Sequence, residues 1–170
     1  SNLRELDKSL SYRMSKADIS GRQMGRTCMP VEITASVITV MEKIFPDTVF
    51  RLHTNLPENF SWPMERQDLS ELLGNLLENG GKWGQTTVDV TIARTSSGLS
   101  IEVADDGPGI SPEAAATVMD RGTRLDETVA GFGLGLSIVS EIVEDNLGHL
   151  EIGSSKKGGA RILILLPFPD

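Results

Sequence analysis

The 170-residue sequence has a single cysteine, only two histidines, no long apolar run, and too few basic residues to balance its acids. Cys28 has no partner for an internal disulfide, so the fold does not depend on an oxidising compartment, and a reducing cytoplasm fits. No His lies near it in sequence, so it reads as a small buried apolar residue rather than a nucleophile. His53, in a predicted strand, and His149, beside Gly148, read as structural or solvated. No stretch approaches the roughly 20 apolar residues that span a bilayer, and nothing resembles a signal peptide. The 24 Asp and Glu outnumber the 16 Lys and Arg, for a formal net charge of -8. This excess argues against a nucleic acid or an anionic membrane surface as the main partner, so any contact with an anionic ligand is local.

What is present is enough for one core, with 39% hydrophobic residues in a length that suits one domain plus an appendage. The chain opens inside a charged, periodic segment without an initiator Met, so the expectation is a piece of something longer. Leu3, Leu6, Leu10 and Met14 stand at helical spacing and predict an amphipathic helix over residues 3–19. Such a stripe either caps the following domain or ends a dimerisation hairpin. Ile19-Ser20-Gly21 breaks the period and begins a linker. The division expected is 1–28 as helix remnant plus linker and 29–170 as the main domain.

Further on, helices are predicted at 31–44, 65–83, 112–119 and 132–146, with strands at 48–54, 87–93, 99–104, 149–153 and 160–166. Two of the strand pairs are predicted hairpins, joined through Ser96-Ser97-Gly98 and Lys156-Lys157-Gly158-Gly159. The fold class expected is α+β, a two-layer sandwich with a mixed, mostly antiparallel sheet and helices on one face.

On the helix over 65–83, Leu69, Leu72, Leu73, Leu76 and Leu77 fall within roughly 140° of one another at ~100° per residue. Glu71, Asn75, Asn79 and Lys82 lie within about 80° on the other side. Charges alone would mean a solvated face. Asn is a mediocre helix former, however, and two of them one turn apart suggest that amide oxygens are wanted there. Such an oxygen is a hard, neutral donor that suits Mg²⁺, which keeps several waters and shares its remaining positions with phosphates. Gly80-Gly81 cost the helix about 1 kcal/mol each relative to Ala, which would loosen its end or admit a ligand.

Asp105 has the parity of Leu99, Ile101 and Val103 and should face the core, where a carboxylate needs donors. An adenine 6-amino group is one such donor, whereas guanine offers a carbonyl. The plainer reading is an Asp that opens the turn Asp106-Gly107-Pro108-Gly109. Gly131-Phe132-Gly133-Leu134-Gly135-Leu136 precedes a helix, whose N-terminus presents backbone donors to phosphate. It lacks the G-x-G-x-x-G spacing and a Walker lysine, which excludes the Rossmann and P-loop readings. Arg121 and Arg124 are within reach of phosphate oxygens or of surface carboxylates.

Together, Asn75-x-x-x-Asn79-x-x-Lys82, Asp105-x-Gly107-x-Gly109 and Gly131-x-Gly133-x-Gly135 resemble the N, G1 and G2 boxes of the GHKL (Bergerat-fold) ATPases, specifically the sensor histidine kinases. The resemblance spans about residues 31–166. Val118 to Arg124 resembles the F box, and Asp120-Arg121-Gly122 with Gly158-Gly159-Ala160-Arg161 is similar to the PhoQ-like branch. It implies Asn79 as Mg²⁺ ligand, Asn75 beside the phosphates, Lys82 and Arg124 as phosphate contacts, and Asp105 as adenine reader. Asn75, Lys82 and Arg124 would be the catalytic set. Gly107 and Gly109 would line the base pocket, and residues from about Ser111 to Gly131 would form a lid closed over the triphosphate by Gly133 and Gly135. Trp83, Ile110, Gly131, Phe132, Leu134 and Leu136 would also contact the nucleotide.

The resemblance also implies a protein-histidine kinase acting on a dimerisation domain outside this chain, a response regulator as partner, a homodimeric whole and a cytoplasmic position beneath the bacterial inner membrane. Hydrolases of this fold carry a Glu base where this chain has Asn75, which takes no proton. Neither histidine stands in an H box, so the chain alone should not phosphorylate itself. Gly80, Met119, Trp83, Val129 and Phe132 depart from the family pattern, and those at Gly80, Met119 and Phe132 leave a nucleotide-binding or pseudokinase module as an alternative. An anti-sigma serine kinase is a further one.

Overall fold

In the computed structural model, which describes residues 26–119 and 133–169, the first helix begins at Pro30, whose fixed φ and missing N–H suit a first helical position. Helix α1 (Pro30–Ile44) turns its Ile33, Ile38 and Met41 inward. Strand β1 (Val49–Thr54), helix α2 (Arg66–Trp83), strands β2 (Thr87–Arg94) and β3 (Gly98–Asp105), helices α3 (Pro112–Met119) and α4 (Gly133–Asp145), and strands β4 (His149–Ser154) and β5 (Ala160–Pro167) follow. Each differs from its predicted bounds by one residue at most. The predicted helix over 3–19 and most of the linker lie outside the described residues.

The five strands form one sheet in the order β1-β2-β3-β5-β4. β1 runs parallel to β2, with α2 as the crossover that a parallel pair requires. The other pairings are antiparallel, so the sheet is mixed and mostly antiparallel as expected. Alternation does the sorting. Val88, Val90 and Ile92 of β2 and Leu99, Ile101 and Val103 of β3 are buried beneath the helices, while the residues between them are half-buried on the uncovered face.

α2 is the keel of the helical layer, packed between α1 and α4. Its Leu69, Leu72, Leu73, Leu76 and Leu77 are each at most 1% exposed. Burying a leucine contributes roughly 1.5–3 kcal/mol, so this face commits the helix to the sheet in one orientation. Before α1, Cys28 and Trp62 exchange both backbone hydrogen bonds at 2.8 Å, and Arg26 pairs with Glu65 at 2.7 Å. Cys28 is buried, and burial pushes its thiol up to about 11, in keeping with an inert apolar role.

Gly80 and Gly81 do not loosen the helix end, which runs on to Trp83. A Cβ at Gly80 would stand 3.0 Å from the Val88 methyls, and one at Gly81 would stand 2.5 Å from the Phe45 ring. The glycines let the chain's own β2 and α1–β1 turn come close. That approach brings the last turn of α2 down onto the end of the sheet where Val88 and Asp105 face each other in register.

Candidate functional site

One part of the site is the polar line of α2. Asn79 is not on the open side of the helix: its angular position is ~20° from that of Leu72, and it is only 6% exposed. Its Nδ2 has no hydrogen-bond partner among the described residues. Asn75, one turn earlier, is half-buried and donates its Nδ2 to the Glu71 carbonyl at 2.8 Å, which fixes the amide plane. Burial, reinforced by Asp68, pushes the Glu71 carboxyl up. Lys82 is half-exposed at the end of the line and pairs with Glu78 at 3.5 Å.

The N-terminus of α4 covers this line. A Cβ at Gly135 would stand 3.4 Å from Asn75 Oδ1 and 3.5 Å from both amide atoms of Asn79. A side chain there would begin in van der Waals contact with both amides, so glycine leaves the space above them open. The first turn of α4, Gly133 to Leu136, has backbone N–H groups with no partner inside the helix and carries the positive end of its dipole. The Leu136 side chain is fully buried in the core, so this residue offers the site its backbone alone. Arg124, Gly131 and Phe132 lie outside the described residues.

The other part is the end of β3. Asp105 is 7% exposed, on the core side of its strand as its parity predicts. Its Oδ1 accepts from Gly107 N–H at 2.9 Å and Ala160 N–H at 3.1 Å. Oδ2 accepts nothing among the described residues. Burial pushes the carboxyl up against the pull of those two N–H groups, and the Asp106 charge adds to the rise.

Gly107 passes so close to α2 that a Cβ there would run into the Trp83 carbonyl oxygen, and Gly109 adopts a φ of 83°. Both glycines are required by the chain's own path around Asp105. Trp83 and Ile110 are partly buried against the core beside them. α2 thus joins the two parts: Asn75 and Asn79 meet Gly135 along its side, and its Trp83–Gly84 end meets Asp105 and Gly107.

Two contributors escaped the sequence reading. Asp106, read as a turn residue, accepts from the backbone N–H groups of Gln85 at 2.8 Å, Thr86 at 2.9 Å and Thr87 at 3.1 Å, and from the Thr86 hydroxyl. Slight burial acts the other way, but the Thr86 hydroxyl and these amides hold its carboxyl well below the usual range. It ties the glycine loop to the α2–β2 connection. Ser155 Oγ donates to the Asp105 carbonyl at 2.7 Å across 50 residues of sequence. Local pattern carries no trace of so distant a contact.

A cleft of about 670 Å³ lies behind Asp105, lined by Asp89, Glu102, Lys157 and Arg161 among others. It opens on the uncovered face of the sheet, away from Asn75, Asn79 and Gly135. Four of its charged residues pair with one another, Arg161 with Glu102 at 2.8 Å and Lys157 with Asp89 at 3.3 Å.

A mixed sheet under helices, stacked amides beneath a glycine-opened helix N-terminus, and a buried strand-end carboxylate with an unused oxygen define an ATP-binding sandwich of the Bergerat type. Residues 64–170 match the family of histidine kinase-, DNA gyrase B- and HSP90-like ATPases, and the chain belongs to it. Within that family it is the catalytic HATPase_c domain of the sensor histidine kinases.

The sensor protein kinase CarS of Pseudomonas aeruginosa is 45% identical over 112 residues, which are 66% of this chain and 25% of that one. The virulence sensor histidine kinase PhoQ of Salmonella typhimurium is 29% identical over 163 residues, 94% of this chain and 34% of that one. The likeness to PhoQ agrees with the branch suggested by the sequence. The chain spans about a quarter to a third of the length of these curated relatives.

Among solved structures, the catalytic domain of the histidine kinase ThkA superposes with a TM-score of 0.73 at 21% identity, covering 85% of this chain and 98% of that one. The histidine kinase domain of the E. coli osmosensor EnvZ does so with a TM-score of 0.63 at 28% identity, covering 85% and 89%. The first of these likenesses bears on the fold alone.

Proposed function

We propose that this chain binds Mg·ATP and serves a longer, homodimeric, membrane-anchored sensor kinase by delivering the γ-phosphoryl group to a histidine of its dimerisation domain. A response regulator then receives it. Residues 29–170 form the ATP-binding domain on the cytoplasmic side of the membrane, and residues 1–28 the end of the dimerisation helix with its linker. Among the described residues no helix is long and apolar enough to cross a membrane.

The observation that carries this reading is the amide at position 75. A hydrolase of this fold needs a carboxylate there to activate water, whereas Asn75 is neutral and locked to its own helix by the 2.8 Å bond to the Glu71 carbonyl. What remains is positioning and charge neutralisation, which suffices for an in-line transfer to another nucleophile.

Asp105 Oδ2 accepts from the adenine 6-amino group. The N–H groups of Gly133 and Gly135 donate to phosphate oxygens. Lys82 and Arg124 add positive charge at the phosphates, with Lys82 exchanging its exposed partner Glu78, a pair worth little in water. Asn79 suits Mg²⁺ through its neutral Oδ1, while the buried Nδ2, which has no partner among the described residues, is left to donate to a phosphate oxygen. Mg²⁺ shares its coordination between a few protein oxygens, waters and substrate phosphates, so the ion would be held jointly by Asn79 and the triphosphate. When bound, it neutralises charge on the phosphates.

The departure at Gly80 argues little for a pseudokinase, because the space an Ala would take is filled by Val88 of the sheet rather than by the site. The test is a chain extended towards the N-terminus through the dimerisation domain and incubated with Mg·ATP. Acid-labile phosphate on the extended protein and none on the present chain is the expected result. An extended protein that binds ATP yet gains no such phosphate would refute the transfer.

A further inference from the structure

The carboxylate that reads adenine is useful only if it cannot rotate. Asp105 sits at the last position of β3, still in register with Val88 of β2 but past the end of the β5 pairing, and its Oδ1 is held by two N–H groups from different places. Gly107 N–H comes from its own loop. Ala160 N–H comes from the start of β5, immediately after the β4–β5 turn. Where that turn sits decides whether Oδ1 is held from one side or from two.

Ser155 governs the turn. Its Oγ donates to the Asp105 carbonyl at 2.7 Å, and accepts from Gly159 N–H at 3.0 Å and Lys157 N–H at 3.2 Å. The backbone already closes the turn, with Ser155 N–H donating to the Gly159 carbonyl at 2.7 Å and Gly158 N–H to the Ser155 carbonyl at 3.0 Å. The hydroxyl braces it further and fastens it to the backbone of the residue whose side chain it helps aim. Gly159 is pressed so near that a Cβ there would run into the Asp105 carbonyl and Oδ1. The turn is pinned from its far side as well. Lys157 Nζ reaches over β3 to Thr87 Oγ1 and Asp89 Oδ2, both at 3.3 Å, and Asp89 is held in turn by His53 at 2.8 Å.

We propose that Ser155 is a positioning residue for base selection: with Lys157 as its strap, it holds Ala160 N–H on Asp105 Oδ1 so that Oδ2 faces the base. This rests on the reading of Asp105 as the adenine contact. Without the hydroxyl the turn keeps its own backbone bonds, but the Asp105 carbonyl and two turn amides lose their common partner and the turn shifts away from Asp105. Oδ1 then keeps only Gly107, and the carboxylate rotates. The phosphate end of the site, along Asn75, Asn79 and α4, shares no residue with this arrangement.

The effect should therefore fall on the base and not on the triphosphate. Titration calorimetry of the full 170-residue chain with Mg·ATP and Mg·GTP reads it. For Ser155→Ala, loss of one net hydrogen bond predicts an ATP-to-GTP affinity ratio reduced about five- to tenfold, with GTP affinity itself within about twofold of the original. Ser155→Thr, which keeps the hydroxyl, should restore the ratio. Lys157→Met, which cuts only the strap and leaves the turn's own bonds, should lower it about two- to threefold.

An unchanged ratio in folded Ser155→Ala overturns the proposal, whether both affinities hold or both fall together. If that variant does not fold, an unchanged ratio in Lys157→Met overturns it instead. Original protein that binds neither nucleotide refutes the ATP reading itself, an outcome distinct from binding with an indifferent Ser155.

Discussion

Replacing Asp105 by Asn separates the binding role of this residue from its structural one. The side-chain oxygen of Asn can accept the same two N–H groups, from Gly107 at 2.9 Å and Ala160 at 3.1 Å, so the turn geometry survives. What changes is the second atom, from an acceptor to an NH₂ donor. Against the 6-amino group of adenine this sets donor against donor. Losing a charge-assisted hydrogen bond and leaving a buried donor facing it costs about 2–3 kcal/mol, or roughly 30- to 150-fold in ATP affinity. GTP, whose O6 accepts, should bind as well as before or better.

Stability should move the other way or not at all. Burial raises the Asp105 carboxyl above its ordinary 3.8, so the native state disfavours the charge that Asn removes. The melting temperature should be unchanged or higher. The same shift gives a pH signature, because an acceptor is lost when Oδ2 is protonated. ATP affinity of the original protein should fall as pH drops through the raised value, above 3.8, and the Asn variant should lack that step. Calorimetry at two pH values, with a thermal melt, measures all of this. An Asn variant that binds ATP within about threefold of the original at neutral pH would refute the reasoning.

Asn79→Ala removes an amide whose Nδ2 has no partner, so the fold should lose less than about 1 kcal/mol while the Mg²⁺-dependent part of ATP affinity falls about tenfold; titrations with and without Mg²⁺ separate the two effects. Asp106→Ala frees the backbone of Gln85, Thr86 and Thr87 and should cost about 1–2 kcal/mol at pH 7 in urea unfolding. Because the Asp106 carboxyl is depressed in the fold, its contribution is complete above the unfolded value of about 3.9 and lost as pH falls through the folded one, so the variant should show a flatter acid limb. Gly107→Ala drives a methyl into the Trp83 carbonyl oxygen, with backbone on both sides of the clash, and should destabilise by more than about 2 kcal/mol in the same assay.

The fold was legible because its signals are periodic. Five leucines on one side of α2 and strict alternation in β3 leave one way to bury them, and the parity of Leu99, Ile101 and Val103 put Asp105 inward before any geometry was known. Periodicity misjudged Asn79 by treating the polar line as uniform. At the edge of the line, an angular difference of ~20° from Leu72 decides between solvent and core. The meaning of the glycines was half legible. Their number announced close approach, but Gly80, Gly81 and Gly107 make room for Val88, Phe45 and the Trp83 carbonyl, contacts that only the packed chain reveals. Ser155 and Asp106 were illegible for the same reason. Ser and Asp are ordinary in turns, and what sets these two apart is a partner 50 and about 20 residues away.

The central claim is that the chain binds ATP through Asp105 at one end and the Asn75–Asn79 line under α4 at the other. Calorimetric titration of the chain with ATP, in the presence and absence of Mg²⁺, tests it most directly. Saturable binding below about 1 mM, strengthened by Mg²⁺ and at least about tenfold tighter than for GTP, is the expected result. A folded chain that gives no binding heat with millimolar Mg·ATP, or that does not distinguish ATP from GTP, would contradict it.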